Sequence, residues 1–225
     1  MHLKKLKLEK DLENYRHAIE KHIDVLLPLE YLKQGKVYGY FNEHNEICGG
    51  FTVITEGPFR VLDSIPEFEK FHLDPLLKKT AEITGVWLSK NIKMKFASLK
   101  FWTNLIVTVM TCRKKYFVYA YSTKKKGLGT MYSRANPEVL FRGETKILPG
   151  MPSPDHESVE VIYRSRIIIQ ALRNPDFFIK RMIPKKPSTM SASLSKSHYE
   201  NFESTIMPLS DSFAGLSRVE SKVNR

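Results

Sequence analysis

The chain has 225 residues, 42% of them hydrophobic and 27% charged, with a formal net charge of +12. That length suits one ordinary domain with a tail or two very small domains, and the composition excludes collagen-like, coiled-coil and wholly disordered chains. Two cysteines, Cys48 and Cys112, exclude a secreted disulfide framework and a zinc site built from cysteines alone. No apolar run approaches the roughly 18–20 residues that span a bilayer, and the charged start MHLKKLKLEKDLENY lacks a signal-peptide core. The expected compartment is therefore cytoplasmic and reducing. The positive excess favours anionic partners: nucleic acid, an acidic carrier protein, a phosphorylated cofactor or an anionic membrane face. Residues 185–225 carry six basic and four acidic side chains, so the field belongs to residues 1–184.

Leu12, Tyr15, Ile19, Ile23 and Leu26 recur at steps of three or four, which predicts an amphipathic helix ending near Pro28. KVYGYF and ICGGFTVITEG, rich in β-branched and aromatic residues and joined by the polar NEHNE, predict a hairpin. FRVLDSI, residues 59–65, is expected to be a third strand, followed by a partly helical connection over 66–80. AEITGVWLS is the fourth strand. Phe96, Leu99, Trp102, Ile106, Val109 and Met110 give residues 95–113 the strongest helical periodicity in the chain. KYFVYAYS is a nearly continuous apolar strand, the pattern of a central strand covered on both faces. A short helix over 129–136, strands at 138–142 and 158–163, and a last helix to Arg173 complete the domain. A strand, helix and strand in the middle imply one right-handed parallel crossover in a mixed, mostly antiparallel sheet. Residues 185–225, with 12 Ser or Thr among 41, read as a flexible tail, with room for a short docking helix.

Few motifs carry chemistry by spacing alone. His17 and His22 lie about 140° apart around a helix, the wrong geometry for joint metal ligation, and no metal site is expected. There is no Walker A loop, dinucleotide fingerprint or GxSxG elbow. Cys48 and Cys112 sit in apolar strand and helix contexts that suit small buried thiols.

The element order, with a long helix between the fourth and fifth strands, resembles the GNAT acyltransferase superfamily. ICGGFTVI looks like that family's second strand. AEITGVWLS with FASLKFWTNLIVTVM looks like the strand and helix that carry the acyl-thioester, and YFVYAYS with GTMYSRANPEVLFRG looks like the next strand and its tyrosine-bearing helix. The segment from GGFTVITEGPFRVLDSIPEF to AEITGVWLS is also similar to the acyl-homoserine-lactone synthase branch. Glu82 matches an acidic residue there, but Thr84 and Gly85 replace the branch's Ser-Arg pair, so different chemistry is expected. The resemblance implies an α/β (α+β) fold in which strands four and five splay into a V, and an acyl-thioester, acyl-CoA or acyl-phosphopantetheine on acyl carrier protein, as co-substrate.

Glu82, among Ile83, Val86 and Trp87, is then the candidate base, its pKa raised if it points inward. A solvent-facing strand glutamate is the alternative. Tyr132 is the candidate acid for the leaving thiolate, or a packed ring with an exposed hydroxyl. Val86, Trp87 and Leu88 would offer free backbone groups to a pantetheine arm. The family's glycine-bearing phosphate loop is replaced by Lys90-Asn91-Ile92-Lys93-Met94-Lys95, so Lys90, Lys93 and Lys95 become the candidate donor-docking cations, well suited to an acidic carrier protein. Lys124-Lys125-Lys126-Gly127-Leu128-Gly129 fits the loop pattern but follows the wrong strand, and reads as a loop with a basic rim. The acceptor is an amine or hydroxyl. The competing expectation is a noncatalytic GNAT-fold protein that holds nucleic acid or an acidic protein partner on its basic face.

Overall fold

A computed structural model describes residues 2–66, 78–89, 92 and 96–182. The candidate lysines Lys90, Lys93 and Lys95 and the expected tail at 185–225 lie outside the described residues. The elements run β1 (His2–Leu6), α1 (Glu9–Ile23), α2 (Leu29–Lys33), β2 (Lys36–Phe41), β3 (Ile47–Ile54), α3 (Arg60–Asp63), β4 (Thr80–Leu88), α4 (Ala97–Thr111), β5 (Tyr116–Ser122), α5 (Lys126–Ser133), β6 (Glu138–Glu144), β7 (His156–Tyr163), α6 (Arg164–Arg173) and α7 (Pro175–Met182).

One seven-stranded sheet has the order β1-β2-β3-β4-β5-β7-β6. Its pairs are antiparallel except β4 with β5, the expected crossover, which α4 makes. The inner strands are covered on both faces, while the edge strands β1 and β6 are largely exposed. Tyr15, Ile19, Leu32 and Ile54 form the core under α1 and α2, and Phe51, Phe101, Leu105 and Phe117 form the core under α4.

Local chemistry explains the elements. In α1 the buried Leu12, Tyr15 and Ile19 share one face, Glu9 and Asp11 occupy the first turn, and Lys21 and His22 the last, each sign complementing the helix dipole. Asp24 ends it in the left-handed region at φ 61°, donating its N–H to Glu20 O. β1 was not anticipated. It is a five-residue edge strand, HLKKL, whose lysines discourage further pairing and also hide any apolar alternation.

FRVLDSI is corrected by the structure. Arg60–Asp63 is a single helical turn, with Asp63 N–H donating to Phe59 O at 2.9 Å. The buried residues Phe59, Val61, Leu62 and Ile65 include pairs three and four apart, so helical contact outweighs the local β-branched bias. The 129–136 helix begins earlier, at Lys126, so Gly127 and Gly129 are helical and not part of a loop.

The β4–β5 ladder is short. Thr80, Ala81 and Glu82 pair with Tyr116, Phe117 and Val118, after which β4 continues to Leu88 and β5 to Ser122 without pairing to each other. The cause lies on the other edge of β4. Against β3, the step from Gly50 to Thr52 faces the longer step from Trp87 to Thr84, a β-bulge centred on Gly85, whose φ is +61°. A bulge bends and twists its strand, and here it turns β4 away from β5. A Cβ at Gly85 would stand 2.4 Å from Ile19 Cδ1, so the bulge requires glycine for both conformation and space.

Candidate active site

The V between β4 and β5 opens into a cavity of about 550 Å³, within the range of small-molecule sites. Its walls come from both faces of the sheet. On the α4 side stand Val86, Leu105, Val109, Tyr119, Tyr132 and Ile167; on the α1 and α3 side stand Leu27, Arg60, Thr84, Ala120 and Glu157. The cavity thus passes through the sheet where the ladder fails. The β6–β7 loop closes the second side, tied down by Lys146 N–H to Ser64 O and Leu26 N–H to Gly150 O, both 2.9 Å.

Glu82 points to the α3 side and is 0% exposed. The Tyr31 hydroxyl donates to Oε1 in a short hydrogen bond, and the Val61 N–H donates to Oε2 at 3.2 Å. The second contact caps α3, whose own N-cap residue, Phe59, makes no side-chain hydrogen bond. Burial pushes the Glu82 carboxyl up to about 7, against the opposing effects of Tyr31, Val61 and Arg60. Burial, with Glu82 second, raises the Tyr31 phenol strongly. The expected inward orientation and elevated pKa of Glu82 are present, but the side chain does not line the cavity.

Of the carboxylates that do, Asp24, Asp155 and Glu157, the one whose pKa burial raises is Glu157 on β7, a residue the sequence reading passed over. Burial raises it to about 7, Asp155 adds to the rise, and Arg60 opposes it. Arg60 was also missed. It lines the cavity from α3, its Nη2 is buried without a hydrogen-bond partner, and its charge acts on Tyr31, Glu82 and Glu157. The available signal for Glu157 was a strand, HESVEVIY, that places two glutamates among valines and isoleucine. Arg60 carried no such signal, because its segment was read as a strand.

Tyr132 stands on α5 at the cavity wall, its ring 4.8 Å from that of Tyr119 and 5.1 Å from that of Tyr121. Burial, then Glu160 and Tyr121, raises its pKa, so the phenol holds its proton. The other two tyrosines are fixed by Glu160, which accepts from Tyr119 at 3.0 Å, Tyr121 at 2.8 Å and Ser158 Oγ at 2.9 Å. Of the three residues expected to meet a pantetheine arm, Val86 lines the cavity. Trp87 packs under α1, its ring 4.1 Å from that of His22, and Leu88 packs toward the α4 core; neither reaches the cavity wall. Lys124 and Lys125, from the coincidental loop pattern, sit at the cavity beside Asp155 and Asp24.

Among the described residues, no group of three or more His, Cys, Asp or Glu could hold a metal ion. No described helix is long and apolar enough to cross a membrane. Cys48 and Cys112 are both free thiols.

No protein-family model matches the chain, and no curated protein matches it in sequence. Solved structures do resemble it. FeeM, an N-acyl amino acid synthase from uncultured soil microbes, superposes with a TM-score of 0.59 at 15% identity, covering 78% of this chain and 97% of FeeM. A GCN5-related N-acetyltransferase from Brucella melitensis gives 0.51 at 8% identity over 78% and 81% of the two chains. A probable acetyltransferase from Staphylococcus epidermidis ATCC 12228 gives 0.50 at 11% identity over 72% and 98%. At such identities the likeness is one of fold.

Proposed function

The chain has the GNAT fold, and from that premise we propose that it is an N-acyltransferase, moving an acyl group from a thioester to an amine. The observation that carries this reading is the cavity running through the β4–β5 V, with a tyrosine on one side of the sheet and a carboxylate of raised pKa on the other. A thioester lying in the V and an amine entering from the far face would meet at the gap in the ladder, an arrangement that supplies proximity to a reaction needing two reactants in line.

In this reading the β5-facing edge of β4 beyond Glu82, at Val86, pairs with the pantetheine amides as an added strand. The amine nitrogen attacks the thioester carbonyl carbon. Its proton passes to Glu157, whose pKa of about 7 suits general-base work at neutral pH. The C–S bond breaks, and Tyr132 protonates the departing thiolate. Glu82, closed off by Tyr31 and Val61, acts as a positioning residue that fixes α3 and with it Arg60. The donor is acyl-CoA or acyl-phosphopantetheine on a carrier protein; both present the same arm to the V.

The test is thiol release and amide formation, followed by a disulfide-exchange dye and mass spectrometry, for acyl-CoA and acyl carrier protein donors of several chain lengths against a panel of amines. Transfer from either donor, reduced strongly in Glu157→Gln, is expected. No release across the panel would refute the reading and favour a noncatalytic protein binding nucleic acid or an acidic partner.

A further inference from the structure

Of the nine large hydrophobic side chains exposed among the described residues, four lie within a stretch of twelve: Ile168, Ile169 and Leu172 on α6, at 47%, 45% and 76% exposure, and Ile179 on α7, at 52%. α6 has no buried residue. Its inner side, Ile167, Gln170 and Ala171, lines the cavity, and α6 and α7 both pack on α4, with the Phe177 ring 5.6 Å from that of Trp102. At about 100° per residue, Ile168, Ile169 and Leu172 fall within an arc of roughly 100° on the opposite side. An apolar stripe facing outward on a helix already anchored by its inner side marks a contact surface.

The same stretch holds half of the chain's positive excess. Residues 164–187, RSRIIIQALRNPDFFIKRMIPKKP, carry seven Lys or Arg against one acid, a net +6 of the chain's +12. The acid, Asp176, lies 2.9 Å from Arg134, so that pair is already neutral. On α6 itself every charged side chain is an arginine. Arg166 is shared with Glu138 at 3.1 Å, whereas Arg164 and Arg173 meet no carboxylate among the described residues. Arginines at the two ends of an aliphatic stripe can lay their stems along apolar surface while their guanidinium groups reach anions beside it.

We propose that the outer face of α6 docks on an anionic lipid bilayer, with Ile168, Ile169 and Leu172 embedded at the boundary between headgroups and acyl chains and the arginines on lipid phosphates. The surface goes beyond acyl transfer and does not depend on it. A bilayer accepts a convex helix, whereas a protein partner has to offer a complementary groove, and the stripe lacks the aromatic anchors on which protein interfaces concentrate their energy. A second copy of the chain would bring the same cations to the contact and be repelled. Docking in this way sets the cavity one helix away from the membrane, because Ile167, Gln170 and Ala171 stand on the reverse of that helix.

The experiment is flotation of the full chain with vesicles of phosphatidylcholine alone and of phosphatidylcholine mixed with phosphatidylglycerol. Binding to the mixed vesicles is expected to be at least ~25-fold tighter, about fivefold for each of the two free arginines, and to weaken as salt rises. The double variant Ile168→Gln, Leu172→Gln leaves the charge unchanged and should cost at least ~10-fold. The double variant Arg164→Gln, Arg173→Gln should cost about 25-fold on mixed vesicles; melting curves verify that both fold. Equal binding to the two kinds of vesicle, no binding to either, or an aliphatic double variant that binds like wild type would overturn the proposal. Two rival results would do the same. Poly-L-glutamate bound as tightly as mixed vesicles, and released by the same aliphatic double variant, assigns the face to an acidic protein. A dimer that sediments without vesicles and dissociates in that variant assigns it to a second copy. No arm uses turnover, so the outcome is independent of the transferase reading.

Discussion

Glu82→Gln isolates the buried carboxyl that caps α3. A glutamate whose folded pKa is about 7 instead of the ordinary 4.5 binds more protons folded than unfolded throughout that window, so its contribution to stability is present below 4.5 and is lost as pH rises to about 7. A displacement of that size corresponds to about 3 kcal/mol. For a domain of this size that is roughly 6–12 °C in Tm. Glutamine fits the site: its oxygen can accept from Val61 N–H, and its amide can donate to the Tyr31 oxygen where the carboxylate accepted. The assay is thermal unfolding by circular dichroism from pH 5 to 8.5. Through this group wild type should lose stability from pH 5 to a little above 7 and then level off, and the difference between wild type and variant should swing by about 2–3 kcal/mol toward the variant over that span. Taking the difference removes every group the two proteins share. A difference that stays constant with pH would show that Glu82 does not titrate in this range and would refute the reasoning.

Glu157→Gln should lower kcat/KM by about 10²–10⁴-fold, the usual scale of general-base assistance; in wild type kcat/KM should rise with pH through about 7, and an unchanged acid limb in the variant would exclude Glu157 as the base. Gly85→Val meets both a φ of +61° and Ile19, so chemical denaturation should report a loss of several kcal/mol, of order 2–4; near-wild-type stability would show that the bulge is not required. Tyr132→Phe keeps the ring stack with Tyr119 and Tyr121, so unfolding should be almost unchanged while single-turnover thiolate release slows by roughly 10–100-fold; full activity would return Tyr132 to packing alone.

Much of the frame was legible because it rests on local periodicity. The apolar spacing of 95–113 and the unbroken apolar run of 115–122 are enough to require a helix and a central strand, and together they imply the parallel crossover that α4 makes. β1 and α3 were not legible, since one is a lysine-rich edge and the other a single turn stabilised from outside itself. The carboxylate that caps α3 comes from β4, 21 residues later in the chain. The same distance hides the site. Arg60, Glu82 and Glu157 belong to three separate segments, and only the closed sheet brings them together. Each reads alone as an ordinary surface charge. Glu82 was found through family likeness, but the likeness did not reveal that its oxygens are already occupied, whereas Glu157, which the likeness did not single out, lines the cavity.

The extra residue at Gly85 also acts as a change of phase. Before it, even-numbered side chains of β4, Glu82 and Thr84, point to the α1 side and odd-numbered ones, Ala81 and Ile83, to the α4 side; after it the assignment reverses, with Val86 and Leu88 on the α4 side and Trp87 beneath α1. Simple alternation along AEITGVWLS would have put Trp87 in the donor half of the cavity. Because of the phase change, the small Val86 stands there, leaving width for a thioester arm, while the indole fills space next to His22. A single-residue deletion at Gly85 would restore alternation and straighten the strand while leaving Val86 on the α4 side and Trp87 beneath α1, so the bend that parts β4 from β5 would be lost without any side chain changing face. The site therefore constrains the number of residues in this strand as strictly as it constrains their kinds.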